Sequence, residues 1–234
     1  MNVVHGVDGC GSGWIRVSLD LSNKKLSAKV FETTEALFKD GPVPITGIDI
    51  PIGLPDAAPR KCDGYLHALL KHQWQSVSPA PVRAALDSTT YKAACDANEK
   101  QCGRRLSQQS YAILPKIREV DELLRASADL SERVYEVHPE VSFYYWNGEK
   151  PMEYSKKLGF GFLERYKLVI KEFDEKAVLP IRKEHRRSAV ADDAILDAIA
   201  VAWTARRIHM KENECIPEGV PERDEMGLPI QILA

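Results

Sequence analysis

Residues 3–21 constrain the fold more than any other stretch, because they combine an apolar strand, a glycine-rich reversal and an alternating strand. Residues 3–8 are mostly apolar and end at Asp8. Residues 14–21 then alternate apolar and polar side chains, which is typical of a half-buried strand. The glycines within 9–13 supply the positive φ angles that a tight reversal requires. The pattern predicts an antiparallel hairpin.

Two further strand patterns follow this hairpin. The segment KLSAKVFE alternates again after a turn at Asn23 and Lys24, and TEALF predicts a short helix capped by Thr33 or Thr34. The segment ITGIDIPIG is a continuous apolar run, which is typical of a strand buried on both faces. We therefore expect a mixed sheet in which the first and fourth strands are central and parallel.

The remainder of the chain is dominated by helical patterns. Residues 55–130 contain several prolines and charged helical segments, so we interpret them as a helical insertion into one α/β domain that spans residues 1–234. The segment RVYEVHPE predicts a return to the sheet, and residues 189–210 predict a long final helix. Residues 211–234 contain three prolines and are expected to form an irregular tail.

Composition excludes several classes of protein. With 234 residues, 44% hydrophobic content and a formal charge of −2, the chain has a globular composition and no global basic field for nucleic acid. Its five cysteines include no C-x-x-C pair, so neither a disulfide framework nor a thiolate zinc site is indicated. No apolar run approaches the roughly 18 residues that span a membrane. We expect a reduced cytoplasmic protein that does not associate with membranes.

Carboxylates recur where this sheet would collect a ligand. Asp8, Asp49 and Glu136 end predicted strands, and ligands gather beyond the carboxyl ends of parallel strands. Asp193 and Asp197 share one otherwise apolar stripe of the final helix. Burying two carboxylates is unfavourable without a compensating cation. The five acids together predict a site for one or two divalent cations, with Mg²⁺ or Mn²⁺ preferred over zinc because the ligands are hard oxygens.

Each of these residues also has an ordinary structural interpretation. An aspartate that ends a strand is often a turn residue, and this interpretation is open for Asp8 and for Asp49 when each is taken alone. Glu136 and His138 could form a satisfied polar pair. Asp192 matches a helix N-terminal charge that complements the macrodipole. The joint occurrence of the acids favours the clustered site over these separate explanations.

Six segments, in this order, carry a resemblance to a known family. The chain resembles domain-of-unknown-function family 429, whose members are predicted RNase H-like nucleases, over about residues 3–209. The segments are GVDGCGSGW, GIDIPIGLP, SVSPAPVR, YAILPKIREVD, YEVHPEVSF and DDAILDAIAVAWTA. The resemblance implies a RuvC/RNase H-like fold with a five-stranded sheet of order 3-2-1-4-5, in which strand 2 is antiparallel to the others.

The resemblance also implies roles for particular residues. Asp8 matches the first-strand aspartate of the superfamily, Asp49 the acid ending the fourth strand, and Asp197 the last-helix aspartate of RuvC-like resolvases. Asp193 lies four residues before Asp197, where RuvC-like enzymes usually have three, so which helix acid binds metal stays open. Asp193 or Glu136 is expected as a further ligand or water-orienting base, with His138 nearby.

The expected activity is Mg²⁺- or Mn²⁺-dependent cleavage of phosphodiester bonds in nucleic acid or a nucleotide. Basic residues inside the family-like segments are the candidate phosphate contacts: Arg83, Lys116, Arg118 and Lys156. The glycines after Asp8 are expected to let a phosphate come close to it. Two alternatives stay open: a binding module with this fold but no turnover, and a hydrolase of a compact nucleotide or phosphate compound.

Overall fold

The structure, a computed structural model, describes residues 2–234 apart from the side chain of Trp74. Its central feature is a five-stranded sheet. The strands are β1 (Val3–Cys10), β2 (Gly13–Asp20), β3 (Leu26–Phe31), β4 (Thr46–Ile48) and β5 (Val134–Glu136).

The strand order in this sheet is β3-β2-β1-β4-β5. β2 pairs antiparallel with β1 and with β3, whereas β1 pairs parallel with β4 and β4 with β5. The expected order, the antiparallel second strand and the parallel central pair are therefore confirmed. β4 is shorter than the apolar run from which it was predicted, because regular pairing ends at Ile48.

Helices lie on both faces of the sheet. Between β3 and β4 the chain forms α1 (Thr34–Lys39), which Thr33 caps by accepting a hydrogen bond from the Ala36 amide. Between β4 and β5 it forms α2 (Lys61–Leu70), α3 (Tyr91–Cys102), α4 (Gln108–Ala112), α5 (Leu114–Ala126) and α6 (Ala128–Ser131), with 3₁₀ turns at Lys71–Ser76 and Arg83–Ala85. After β5 come α7 (Pro139–Trp146), α8 (Gly159–Phe173), α9 (Glu175–Glu184) and α10 (Asp192–Met210).

The final helix, α10, packs directly on the two central strands. Gly6 of β1 makes this possible, because a Cβ atom there would lie 2.1 Å from the Ala202 amide nitrogen and 2.3 Å from the Ala198 carbonyl oxygen. Gly47 of β4 is the strand neighbour of Gly6, and a Cβ there would lie 2.8 Å from Val201 Cγ1. The two glycines therefore form a flat strip on which the helix backbone rests.

The C-terminal tail differs from the irregular segment that its prolines predicted. It contains four short strands: β6 (Cys215–Ile216), β7 (Glu222–Arg223), β8 (Pro229–Ile230) and β9 (Ile232–Leu233). β6 pairs with β9 and β7 with β8. Ile232 and Ala234 are buried in an apolar cluster with α2 and α7, which explains why the end of the chain is ordered. Within residues 2–234, no helix has the length and apolar character needed to cross a bilayer.

Candidate functional site

Strand register brings Asp8 and Asp49 to the same edge and face of the sheet. Val7 of β1 pairs with Ile48 of β4, so the residues that follow them, Asp8 and Asp49, stand side by side where the strands end. The Asp49 amide donates a 2.9 Å hydrogen bond to the Val7 carbonyl. Successive side chains alternate between faces, so Asp8 shares the α10 face with Gly6. The register therefore places two of the three strand-end acids expected from the sequence, Asp8 and Asp49, next to each other.

Helix α10 brings a third carboxylate to this edge. Asp197 precedes Ala198, whose carbonyl lies against Gly6, so the close contact of α10 with β1 fixes the position of Asp197 near Asp8. Asp197 is 3% exposed and Asp8 is 8% exposed. The acids therefore come from three different elements and two of them are buried.

The electrostatics show that these carboxylates act on one another. Burial raises the pKa of Asp8 well above its ordinary value, and the charges of Asp49 and Asp197 raise it further. Burial also raises the pKa of Asp197 to about 6, although the Lys156 ammonium opposes the change. The site is therefore short of positive charge, since two of its acids are driven toward the protonated form.

Lys156 supplies the cation that contacts this group of acids. Its Nζ lies 2.5 Å from Asp197 Oδ2, and its side chain is 25% exposed. Burial alone would lower the pKa of Lys156, but the carboxylates of Asp197, Asp8 and Asp49 outweigh it and raise the pKa. Lys156 therefore serves as the counter-ion of this site.

The donor set suits a hard cation. Aspartate oxygens are the ligands that Mg²⁺ and Mn²⁺ prefer, and Asp197 Oδ1 is buried without a hydrogen-bond partner in the described part of the chain. Within residues 2–234, however, no group of three or more His, Cys, Asp or Glu side chains is already arranged as a metal cluster. The carboxylate oxygens are therefore suitable ligands for a divalent metal ion. One of the two Asp197 oxygens is bound by Lys156.

Glu136, the third acid expected from a strand end, faces the other side of the sheet. It pairs in register with Ile48, one residue before Asp49, and side chains at that level point away from α10. Its carboxylate is held by the guanidinium of Arg60 at 2.7 and 2.8 Å and by the Ile52 amide at 2.7 Å. Arg60 also binds Asp63. Glu136 lines the cavity, but Arg60 and Ile52 already engage both of its oxygens.

The two other acids of α10 have partners of their own. Lys157 Nζ lies 2.8 Å from Asp193, and although burial opposes the change, this bond lowers the pKa of Asp193. Asp192 pairs with Arg182 and Arg187, and it stands at the start of α10 as a helix N-terminal charge. The spacing of four residues places Asp193 one turn from Asp197 and beside a different lysine.

His138 and Glu140 lie at the start of α7 and both line the cavity. The His138 Nδ1 atom is buried without a hydrogen-bond partner among the described residues. Glu140 is 2% exposed and is bound by the buried guanidinium of Arg165 at 2.5 and 2.9 Å. The sequence reasoning missed Glu140 and Arg165, because an acid in the first turn of a helix is an ordinary feature and their pairing is not visible in the sequence.

The four basic residues expected at phosphates lie in different surroundings. Lys116 lines the cavity beside Asp8, where its Nζ donates a 2.6 Å bond to the Gly13 carbonyl. Arg83 is bound by Asp121 and Asp224 and lies outside the residues that line this cavity. Arg118 lies outside it as well, with its Nε buried and unpartnered within residues 2–234. Of the four, Lys116 and Lys156 are brought to the acids.

The glycines after Asp8 form a hairpin whose tip packs on the protein itself. The turn consists of Gly11 and Ser12, and Gly13 has a φ of 115°. A Cβ at Gly11 would lie 3.0 Å from the Ser188 carbonyl oxygen, and one at Gly9 would lie 3.0 Å from Lys116 Nζ. The glycines thus admit the 188–189 backbone and Lys116 at close range, whereas they were expected to admit a phosphate.

A cavity of about 750 Å³ opens over the three carboxylates. Asp8, Asp49 and Asp197 form part of its lining. The segment between β4 and β5 also contributes to the lining, and its amide and hydroxyl side chains there are Gln73, Gln75, Ser76, Ser78 and Gln109. A cavity of this size is within the range of roughly 300–1,000 Å³ that small-molecule sites occupy.

Comparisons with known proteins identify a family. No curated protein and no solved structure matches the chain. The family model described as "Protein of unknown function (DUF429)" matches residues 6–222, a range that includes every strand of the main sheet except the start of β1. It also includes Asp8, Asp49, Lys156 and Asp197. The chain therefore belongs to the DUF429 family.

Proposed function

We propose that this protein is a metal-dependent phosphodiesterase of the RNase H-like type that cleaves phosphodiester bonds in nucleic acid. The observation that carries the proposal is the meeting of Asp8, Asp49 and Asp197, from two strand ends and one helix, at the wall of one cavity. The RNase H-like strand order supports it. The negative charge of the site supports it as well, because there are three aspartates and Lys156 pairs with one of them, Asp197.

Asp8, Asp49 and Asp197 would hold one or two Mg²⁺ or Mn²⁺ ions. When bound, such an ion activates a water molecule and stabilises the charge that develops on the phosphate oxygens. It would also favour the ionised form of Asp8, whose pKa is otherwise raised by burial and by its acidic neighbours. Asp193 lies one helical turn from Asp197 beside Lys157, and both oxygens of Glu136 are bound on the other face of the sheet, so neither is assigned to this ligand set.

The chain's own residues have three further roles in the proposed reaction. Lys116 and Lys156 are the cations at the cavity that would bind phosphate oxygens. His138, with its unpartnered Nδ1 at the cavity within residues 2–234, would accept the proton that the attacking water releases. The amide and hydroxyl side chains of the lining would hydrogen-bond to the sugar or base of a bound nucleotide.

The test is Mn²⁺-dependent cleavage of a panel of single-stranded and duplex DNA and RNA oligonucleotides. Asp8→Asn should lower the cleavage rate by at least about 10²-fold, because it removes a ligand that positions the catalytic ion. Asp129→Asn is the matched control, since Asp129 is an exposed residue that pairs with Arg133 at the surface, and it should leave the rate unchanged.

Two other outcomes would favour the alternatives. Salt-sensitive oligonucleotide binding without cleavage in any divalent metal would identify a binding module of the same fold. Hydrolysis of a mononucleotide or a small phosphodiester in an Asp8-dependent manner, with no cleavage of oligonucleotides, would identify a hydrolase of compact substrates. Cleavage that persists unchanged in Asp8→Asn would contradict the proposed site.

A further inference from the structure

Lys156 is the lysine that contacts the buried carboxylate of Asp197 in the proposed site. Its Nζ contacts the buried carboxylate of Asp197 at 2.5 Å, and the charges of Asp8 and Asp49 also act on it. These are the acids that the proposed function assigns to the metal. The ammonium therefore lies where a divalent cation would contact Asp197, and the other oxygen of Asp197 has no partner within residues 2–234.

The backbone around Lys156 is held independently of this contact. Glu164 of α8 accepts bonds from the Glu153 and Tyr154 amides at 2.8 and 3.2 Å, and Arg165 donates to the Tyr154 carbonyl at 3.0 Å. Gly161 packs against Ser155, since a Cβ there would lie 2.1 Å from the Ser155 carbonyl oxygen. The segment before Lys156 is thus anchored to α8 without help from the acids.

The Lys156 side chain can leave Asp197 without a backbone movement. It has a flexible four-carbon stem, and its ammonium makes one ion pair in the structure. It lines the same cavity as the acids, so rotation of its side chain would keep the ammonium within that cavity. The charge of the site makes the exchange favourable, because a divalent cation balances more of the carboxylate charge than one ammonium does.

We infer that Lys156 is a resident counter-ion that competes with the divalent metal for Asp197, so that metal binding releases its ammonium to contact the substrate phosphate. This inference rests on the proposed function and deepens it. Lys156 accordingly balances the charge of Asp197 before the metal binds and contacts the substrate phosphate afterwards.

Calorimetric titration of the full chain with Mn²⁺ tests the competition directly. Lys156→Met should tighten the Mn²⁺ dissociation constant by at least about tenfold, because the competing charge is gone. Lys156→Arg should keep the Mn²⁺ dissociation constant within about threefold of wild type, since arginine retains the positive charge. Lys157→Met is the matched control: Lys157 is the adjacent lysine and pairs with Asp193, so its removal should leave the constant within the same limit.

The results separate this inference from the proposed function. Equal Mn²⁺ affinity in wild type and Lys156→Met overturns the inference and leaves the metal site standing. Tightening of the same size in Lys157→Met overturns it as well, because the effect is then one of general surface charge. Absence of Mn²⁺ binding in all four proteins overturns both the inference and the cofactor of the proposed function.

Amine acetylation of the wild-type protein provides a second measurement if Lys156→Met does not fold. Mass spectrometry compares the labelling of Lys156 and Lys157 with and without saturating Mn²⁺. Release from Asp197 should increase the labelling of Lys156 at least about threefold, since a free amine reacts faster than a paired one, and should leave Lys157 unchanged. Lys156 labelling that does not respond to Mn²⁺ contradicts the inference.

Discussion

At the scale of single residues, protonation of His5 should make the free energy of unfolding depend on pH. Burial in β1 and, to a smaller extent, the charge of Arg16 lower the pKa of His5 from 6.5 to about 4, although the charge of Asp40 opposes the change. The unfolded chain therefore takes up a proton at His5 at a pH where the folded chain does not. The stabilisation is present above pH 6.5 and is lost as the pH falls toward 4. At about pH 5 the loss is about 2 kcal/mol.

Urea unfolding at about pH 7.5 and about pH 5 measures this loss. Wild type should lose about 2 kcal/mol more than His5→Gln between the two conditions, because the variant has no imidazole to protonate. His209→Gln is the control, since His209 is exposed near the end of α10, and it should retain the wild-type pH dependence. Equal losses in wild type and His5→Gln would rule out His5 as the source.

At the scale of elements, the contact between α10 and β1 is what assembles the site. Gly6→Ala would place a methyl group 2.1 Å from the Ala202 amide nitrogen, a backbone atom that cannot rotate away. The helix would have to lift from the sheet, carrying Asp197 away from Asp8. We expect a destabilisation of roughly 3 kcal/mol or more in urea unfolding, together with weaker Mn²⁺ binding.

Gly64→Ala is the matched control for this substitution. Gly64 lies within α2, where a Cβ would have no heavy atom within 4 Å. Alanine should therefore stabilise the helix by roughly 0.5–1 kcal/mol, because it loses less backbone entropy on folding. If Gly6→Ala stabilised the protein as Gly64→Ala does, that result would contradict the close contact between α10 and β1.

At the scale of the whole molecule, Asp224 ties the C-terminal tail to the segments around the sheet. Its carboxylate accepts a 2.9 Å bond from the Leu54 amide, and it pairs with Arg83, which also binds Asp121 of α5. Asp224→Asn removes a buried charge from this network and leaves Arg83 less compensated. We expect a loss of roughly 2–4 kcal/mol in urea unfolding.

Glu222→Gln supplies the comparison on the same tail. The Glu222 side chain is 55% exposed and pairs with Lys61 at the surface, so its loss should change stability by less than about 0.5 kcal/mol. Equal effects of the two substitutions would mean that the tail is not anchored through Asp224.

The amino-acid sequence by itself determined the hairpin, the parallel central strands and the two acids at their ends, whereas the full strand order was implied by the family resemblance. Alternation of apolar residues identified β2 and β3, and the glycines before residue 14 required a hairpin. Asp8 and Asp49 could be placed together because parallel strands end at the same edge of a sheet. The helical period likewise placed Asp197 on a buried face of α10. These inferences depend only on local periodicity and strand direction.

Only the tertiary structure decided which charged residues meet. Glu136 lies one register position before Asp49 and therefore on the opposite face, which cannot be known before the pairing of β4 with β5 is known. Lys156 reaches Asp197 across 41 positions of the chain, and Arg83 reaches Asp224 across 141. A lysine bound to an acid and a lysine free for a phosphate have the same sequence pattern. The difference is a long-range contact, and folding alone establishes it.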